Sequence, residues 1–341
     1  MGRKMKKYAL ILTILVSVFF AGCSTKRQYF EPFDENIAGK VSFEGNLPSK
    51  IVASNYNGAT LANGSVISKM GVNSNFKLAK NEKFLGEFDG KFVSTNEKGA
   101  LKVSDENGNL LLDTYIDTQA LSASINGDDL AVVGSNNAIY LIKISSNSVV
   151  LNQKLREAYA VDSRVASPVF IEQLVVYPSL DGLLVIADRY SGRIIRDMVI
   201  SNQQFFNNAI DLKVIGENNM YATTPTKILL VSTMGNRSYN GEIRSVLFGN
   251  DRIYAFLKDG MVDMLDLNLN KIKSKKFTFA LFAGAGIAGD SLNIIEKTGY
   301  LIKTDLNLEN EQIFELNDEI DEKTFVNSSA FYHDDKFLNF N

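Results

Sequence analysis

The chain has no tryptophan, one histidine and one cysteine in 341 residues. Each scarcity removes a class of chemistry. One His and one Cys leave zinc too few of its usual ligands, and no nucleophile–base motif uses either residue. A lone Cys closes no internal disulfide, so stability must come from a buried core. Proline is also rare, at 5, while Phe (22), Tyr (13) and Gly (24) are plentiful, a balance that leans toward β structure. The formal net charge of −3 gives no electrostatic case for nucleic acid. With 45% hydrophobic residues, the chain is long and apolar enough for a large core.

The first residues read as an export signal. Arg3, Lys4, Lys6 and Lys7 form a basic start, residues 8–20 form an apolar or small-residue run of 13, and Ala21-Gly22-Cys23 closes it. The run is short for a spanning helix, which needs ~20 residues. Phe20-Ala21-Gly22-Cys23 resembles the bacterial lipobox, in which the Cys is acylated and becomes the first mature residue. Several acyl chains on Cys23 would bury many methylenes at ~0.8 kcal/mol each and so anchor stably. The competing reading is a plain N-terminal anchor with an incidental Cys; myristoylation fails because Lys6 stands where its motif needs Ser or Thr. Ser24, rather than Asp, follows the Cys, which resembles the outer-membrane sorting pattern of well-studied Gram-negative bacteria. Residues 24–38 are polar and aperiodic, the character of a tether. The expected organisation is a signal peptide at 1–22, a lipidated Cys and tether at 23–38, and one domain at 39–341.

Within that domain no apolar stripe of helical period is sustained over 11 residues. Instead one unit recurs: an apolar strand, a polar turn and a returning strand. It is clearest at 181–195, DGLLVIADRYSGRII, and recurs at 100–112, 138–151, 227–235, 261–272 and 300–314. The turns begin at Asp105, Ser145, Asp188, Ser232, Asp266 and Asp305, at intervals of 40, 43, 44, 34 and 39. Two further strands precede the unit in three of these intervals, and four strands per ~40 residues is the period of a propeller blade. Six blades cover about 82–316. The two ends, 39–81 and 324–340, hold one and a half to two more, so the expected fold is an all-β propeller of four-stranded antiparallel blades. Eight blades are expected, with seven the runner-up, and one blade shared between the termini closes the ring and removes its open edges.

The Leu-x-Val-x-Ala-Asp-x-x-Ser-Gly sentence at 183–192 is similar to the repeat of quinoprotein-like propellers. In a lipoprotein of this size it resembles the BamB type that serves the outer-membrane β-barrel assembly machinery. Only this repeat has the Asp-x-x-Ser-Gly form; most others place Asn in the turn (Asn107, Asn147, Asn268, Asn307), read as meeting the same left-handed backbone need, and none carries the family's Trp. The resemblance implies a non-catalytic, periplasm-facing scaffold that grips a BamA-type barrel protein. A surface-displayed adhesin or host-interaction lipoprotein is the alternative. A quinone-dependent enzyme is disfavoured, because the ring that floors the quinone, the vicinal cysteines and a calcium cluster are all missing. No catalytic, metal or cofactor residues are therefore expected.

Five further constellations stand out in the sequence. Residues 284–289 fit G-x-G-x-x-G, but a turn and a strand follow where a dinucleotide site needs a helix, so an inner strand packed too closely for side chains is expected. His333 reads as a solvated turn histidine. The acidic run 318–322 lacks a calcium-loop pattern and reads as a solvated connector. Lys271, Lys273, Lys275 and Lys276 read as guards on an outer strand. Phe205 and Phe206, set among amides in a long inter-blade stretch, either anchor a protein partner or cap a seam between blades.

Overall fold

The computed structural model describes residues 28–217, 219–321 and 323–340. Eight antiparallel sheets follow one another along the chain, here blades I (51–73), II (83–115), III (120–154), IV (169–199), V (211–240), VI (243–276), VII (282–316) and VIII (324–339). In each, the first strand lies innermost and consecutive strands pair outward. The helical content among the described residues is a single 3-10 turn at Asp34–Asn36. The chain is an eight-bladed β-propeller.

The termini close the ring in two ways. Gly45–Asn46 pairs antiparallel with Lys336 and Phe337, supplying the outermost strand of blade VIII, whose other three strands come from the C-terminal end. Ile37–Val41 then adds a fifth, parallel strand to the outside of blade VII. Phe30 packs edge-on to Tyr300 and Phe277, with centroids 5.6 and 6.5 Å away. Within the stretch expected to be a tether, Phe30 is buried between blades VI and VII, and Ile37–Val41 is held by its register on blade VII. Cys23 and the residues expected to form an export signal lie outside the described residues. The fourth strand of blade I is Gly71–Asn73, with residues 75–79 following it as coil. The segment FVNSSAFY holds two strands, Thr324–Val326 and Ala330–His333, joined by a turn in which Asn327 Oδ1 accepts the Ser329 and Ala330 N–H groups.

The core is distributed between blades. Each seam has its own buried apolar cluster, from Val66, Phe84 and Phe92 at I/II to Leu301, Phe331 and Leu338 at VII/VIII. No seam carries a Trp, and Tyr supplies part of the bonding between blades. Buried Tyr221 donates to the Leu267 carbonyl of the next blade at 2.7 Å, and Tyr254 donates to the Leu306 carbonyl at 2.6 Å. A buried phenol keeps its hydroxyl only where it finds such a partner.

The turn at 188–192 explains why 181–195 reads so clearly. Asp188 Oδ1 accepts the Ser191 N–H at 2.7 Å and the Ser191 hydroxyl at 2.8 Å. Asp105, Asp266 and Asp305 accept turn N–H groups in the same way. Arg189 reaches back to Asp129 in blade III, making it a tie between blades. The expectation for Asn is corrected at two turns. Leu269 (φ 65°) and Leu308 (φ 59°) are left-handed there, not Asn268 or Asn307; Asn310 (φ 52°) shares the role in the last turn, and Asn147 and Gly108 fill it in theirs. Both leucines are buried in seams, and burial offsets the backbone strain.

Candidate binding surface and central channel

The inner strands all enter the ring from one face, where the inter-blade loops lie. Between blades III and V two of these loops are joined into one platform. Asn208, fully buried, accepts the Asp162 N–H at 2.8 Å and donates to the carbonyls of Arg164 (2.8 Å) and Asp162 (3.1 Å). Phe206 donates its N–H to the Ala160 carbonyl at 3.0 Å while holding φ at 57°. Asn207 braces the same loop, accepting from the Ser201 hydroxyl at 2.6 Å and the Gln203 N–H at 2.7 Å. This network presents three aromatic side chains to solvent: Phe205 at 51% exposure, Phe206 at 50% and Tyr159 at 90%. Neither Phe belongs to the blade IV/V core cluster.

Below the platform the channel is crossed by a turn from blade I. Tyr56 donates to Asp211 Oδ1 at 2.7 Å, and Asn57 donates to Ser167 Oγ at 2.7 Å, so residues 55–57 touch blades V and IV on the far side of the ring. Lys69 adds its ammonium 3.8 Å from the centre of the Tyr56 ring, a cation–π contact. Tyr56 and Asp211 line two cavities, one of about 730 Å³ at the entry face and one of about 470 Å³ beyond it. Burial pushes the Asp211 carboxyl up from its ordinary range, against the pull of the Tyr56 hydrogen bond and of Lys69. Burial also holds Lys69 below the usual lysine range, although its ammonium keeps contact with channel solvent.

The wall of the larger cavity carries Arg164 and Arg244. Arg164 is neutralised by Asp162, through Nε (2.8 Å) and Nη2 (2.6 Å), and its Nη1 donates to the Arg244 carbonyl. Arg244 donates Nε to the Phe282 carbonyl. Burial, followed by repulsion from Arg164, pulls Arg244 below the ordinary arginine range.

The remaining constellations resolve by packing. Phe282–Ala288 is the inner strand of blade VII, and a Cβ on Gly284 would stand 2.5 Å from Val326 Cγ2, while one on Gly286 would overlap the Phe340 ring. The glycines bring two blades together, and Ser291–Glu296, which follows, is a strand. The four lysines do lie on an outer strand, Lys271–Lys276, paired to Asp263, Glu309, Glu311 and Asp259. The histidine expectation is corrected: His333 is 4% exposed, at the end of a strand, with Nε2 3.7 Å from Asp321 Oδ1. The acidic connector is also less solvated than expected, since Ile320 fills the VII/VIII seam and Asp318 pairs with Lys336 at 2.6 Å. Among the described residues no group of three or more His, Cys, Asp or Glu is placed to hold a metal, and no helix is long and apolar enough to cross a membrane. Tyr56, Tyr159, Arg164, Asp211 and Arg244 carried no sequence signal; they converge from four different parts of the ring, and only the inner-strand register locates them.

An eight-bladed ring closed by its termini, with built loops on one face, is a β-propeller of the BamB-like kind. BamB from Moraxella catarrhalis has the same fold, with a TM-score of 0.66 over 85% of this chain and 94% of that one, at 16% identity. The C-terminal WD40 domain of Sif2 gives 0.65 over 89% and 99%, at 13% identity. No family model matches the chain. The plasminogen-binding protein PgbB of Helicobacter pylori strain J99 is 30% identical over an alignment 392 positions long, gaps included, which spans 99% of this chain and 72% of that protein. The chain belongs to the PgbB family. PgbB is named for plasminogen binding.

Proposed function

We propose that this chain is a non-catalytic, host-interaction lipoprotein, anchored through Cys23 in the outer membrane and displayed at the cell surface, where the entry-face loops of the propeller bind a host protein of the plasminogen kind. The observation that carries the reading is the 30% identity with PgbB in an alignment covering 99% of the chain. The platform of Tyr159, Phe205 and Phe206 supports it, because rigid aromatic anchors held by a buried hydrogen-bond network are suited to contact with a protein. The assembly-scaffold reading, with a BamA-type partner, takes second place: its support is a likeness to BamB at 16% identity, which is a likeness of fold.

Protease shaving of intact cells, followed by binding of the purified protein to immobilised plasminogen, tests the proposal. Loss of the protein on shaving together with saturable plasminogen binding supports it. Protection from protease, with a BamA-type barrel protein recovered on copurification from solubilised envelope, would move the protein to the assembly reading.

A further inference from the structure

The entry-face cavity holds a cation whose bonding is incomplete. Arg244 is half-buried at the start of the inner strand of blade VI, and Nε is committed to the Phe282 carbonyl. It has no carboxylate within ion-pair distance among the described residues. Asp162 is held by the Arg164 fork, and Glu296 is occupied by the Leu281 and Thr298 N–H groups at 2.9 and 2.6 Å and by the Thr298 hydroxyl. The remaining donors of Arg244 therefore lack an anion in a wall where Arg164, Ser245 and Thr324 also stand. On the far side of the Tyr56 bridge, Lys69 and Lys213 approach Asp211 without a close ion pair, their ammonium groups lying against the rings of Tyr56 and Phe248. The channel is thus electropositive inside a chain whose net charge is −3. A half-buried guanidinium without a counter-ion is costly to keep unless something supplies one.

We propose that the cavity at the channel mouth is a carboxylate-binding site, in which the Arg244 fork takes the carboxylate and Ser245 and Thr324 offer hydroxyl donors. Guanidinium presents paired N–H groups in the plane a carboxylate needs. A cavity of about 730 Å³ takes a small organic acid or an acidic side chain of a peptide with equal ease. The site is independent of which protein the outer loops engage.

Calorimetric titration of the intact protein with citrate, and separately with a short Asp/Glu peptide, provides the test. Binding of either probe is expected, weakening as salt is raised. The probe that binds identifies the source: citrate alone marks a small-molecule site, and the peptide alone marks a side-chain site. Arg244→Gln is expected to weaken binding by about tenfold or more, since a charge-assisted hydrogen bond is lost. Ser245→Glu places a carboxylate within the cavity and is expected to abolish binding while preserving the Phe282 contact, so a folding defect in Arg244→Gln leaves the test intact. Lys80→Gln, in a separate groove between blades I and II, should bind as the parent does. Absence of binding by both probes at millimolar concentration, or binding unchanged in folded Arg244→Gln or Ser245→Glu, would overturn the assignment.

Discussion

Tyr56 of blade I and Asp211 of blade V, 155 residues apart in sequence, share a 2.7 Å hydrogen bond across the channel. The bond braces opposite sides of the ring and divides the channel into two cavities. Tyr56→Phe leaves a buried carboxyl without its hydroxyl donor and is expected to cost about 1–3 kcal/mol in denaturant unfolding. The same pair sets a pH dependence. Because burial raises the Asp211 pKa above its ordinary 3.8, the native state holds a proton that the unfolded chain has already released. Asp211 therefore contributes stability at low pH that is withdrawn as pH rises from about 3.8 through the native value. Asp211→Asn should remove that part of the slope, measured as unfolding midpoint against pH.

His333 works in the opposite sense. Burial holds its pKa below the ordinary 6.5, against the opposing pull of Asp321, Asp334 and Asp318 and with help from Lys336. The unfolded chain binds the proton first, so stability should fall as pH drops through about 6.5 toward the native value. Thermal unfolding between pH 7 and 5 reads this, and His333→Phe, which keeps a ring beside Phe43, is expected to flatten the fall.

The glycines of the blade VII inner strand make a third case. Gly286→Ala puts a methyl group into the Phe340 ring, and the forced repacking should cost about 1–3 kcal/mol. Gly289→Ala, in an open turn, meets no neighbour but sits at φ 55° and should cost less. A larger loss at 289 would show that the turn, rather than the seam, is the sensitive element.

Ring closure gives a fourth. Removing residues 28–46 strips the outer strand from blade VIII and the parallel strand from blade VII, exposing two sheet edges. The truncated protein should unfold at lower denaturant and associate through those edges, visible in light scattering.

The blade period was legible because each blade repeats a local unit whose turn is written in its own residues: Asp188 with Ser191, Asp266 with Asn270, Asp305 with Asn310. Ring closure was legible from the half blades at the two ends. What escaped the sequence depends on distant parts of the chain. Leu269 and Leu308 take left-handed backbone because seams bury them, and a local reading assigns that conformation to the nearby Asn. His333 looks like a turn residue beside two Asp, yet the strand ends one residue later than the polar pattern suggests. Phe30 sits in a polar stretch, and only the packing of Tyr300 and Phe277 shows that it belongs to the body. The Phe205–Phe206 pair was visible as composition, whereas Tyr159 joined it only through the buried Asn208 network.

The most direct test of the central claim is surface plasmon resonance of the purified protein over immobilised plasminogen, comparing the parent chain with a Phe205→Ala/Phe206→Ala variant. Truncating two half-exposed anchors should leave the unfolding free energy within about 0.5 kcal/mol of the parent. Saturable binding by the parent, weakened by about tenfold or more in the folded variant, is the expected result. No saturable binding by the parent, or binding untouched by the double substitution, would contradict a host-protein platform built on this loop.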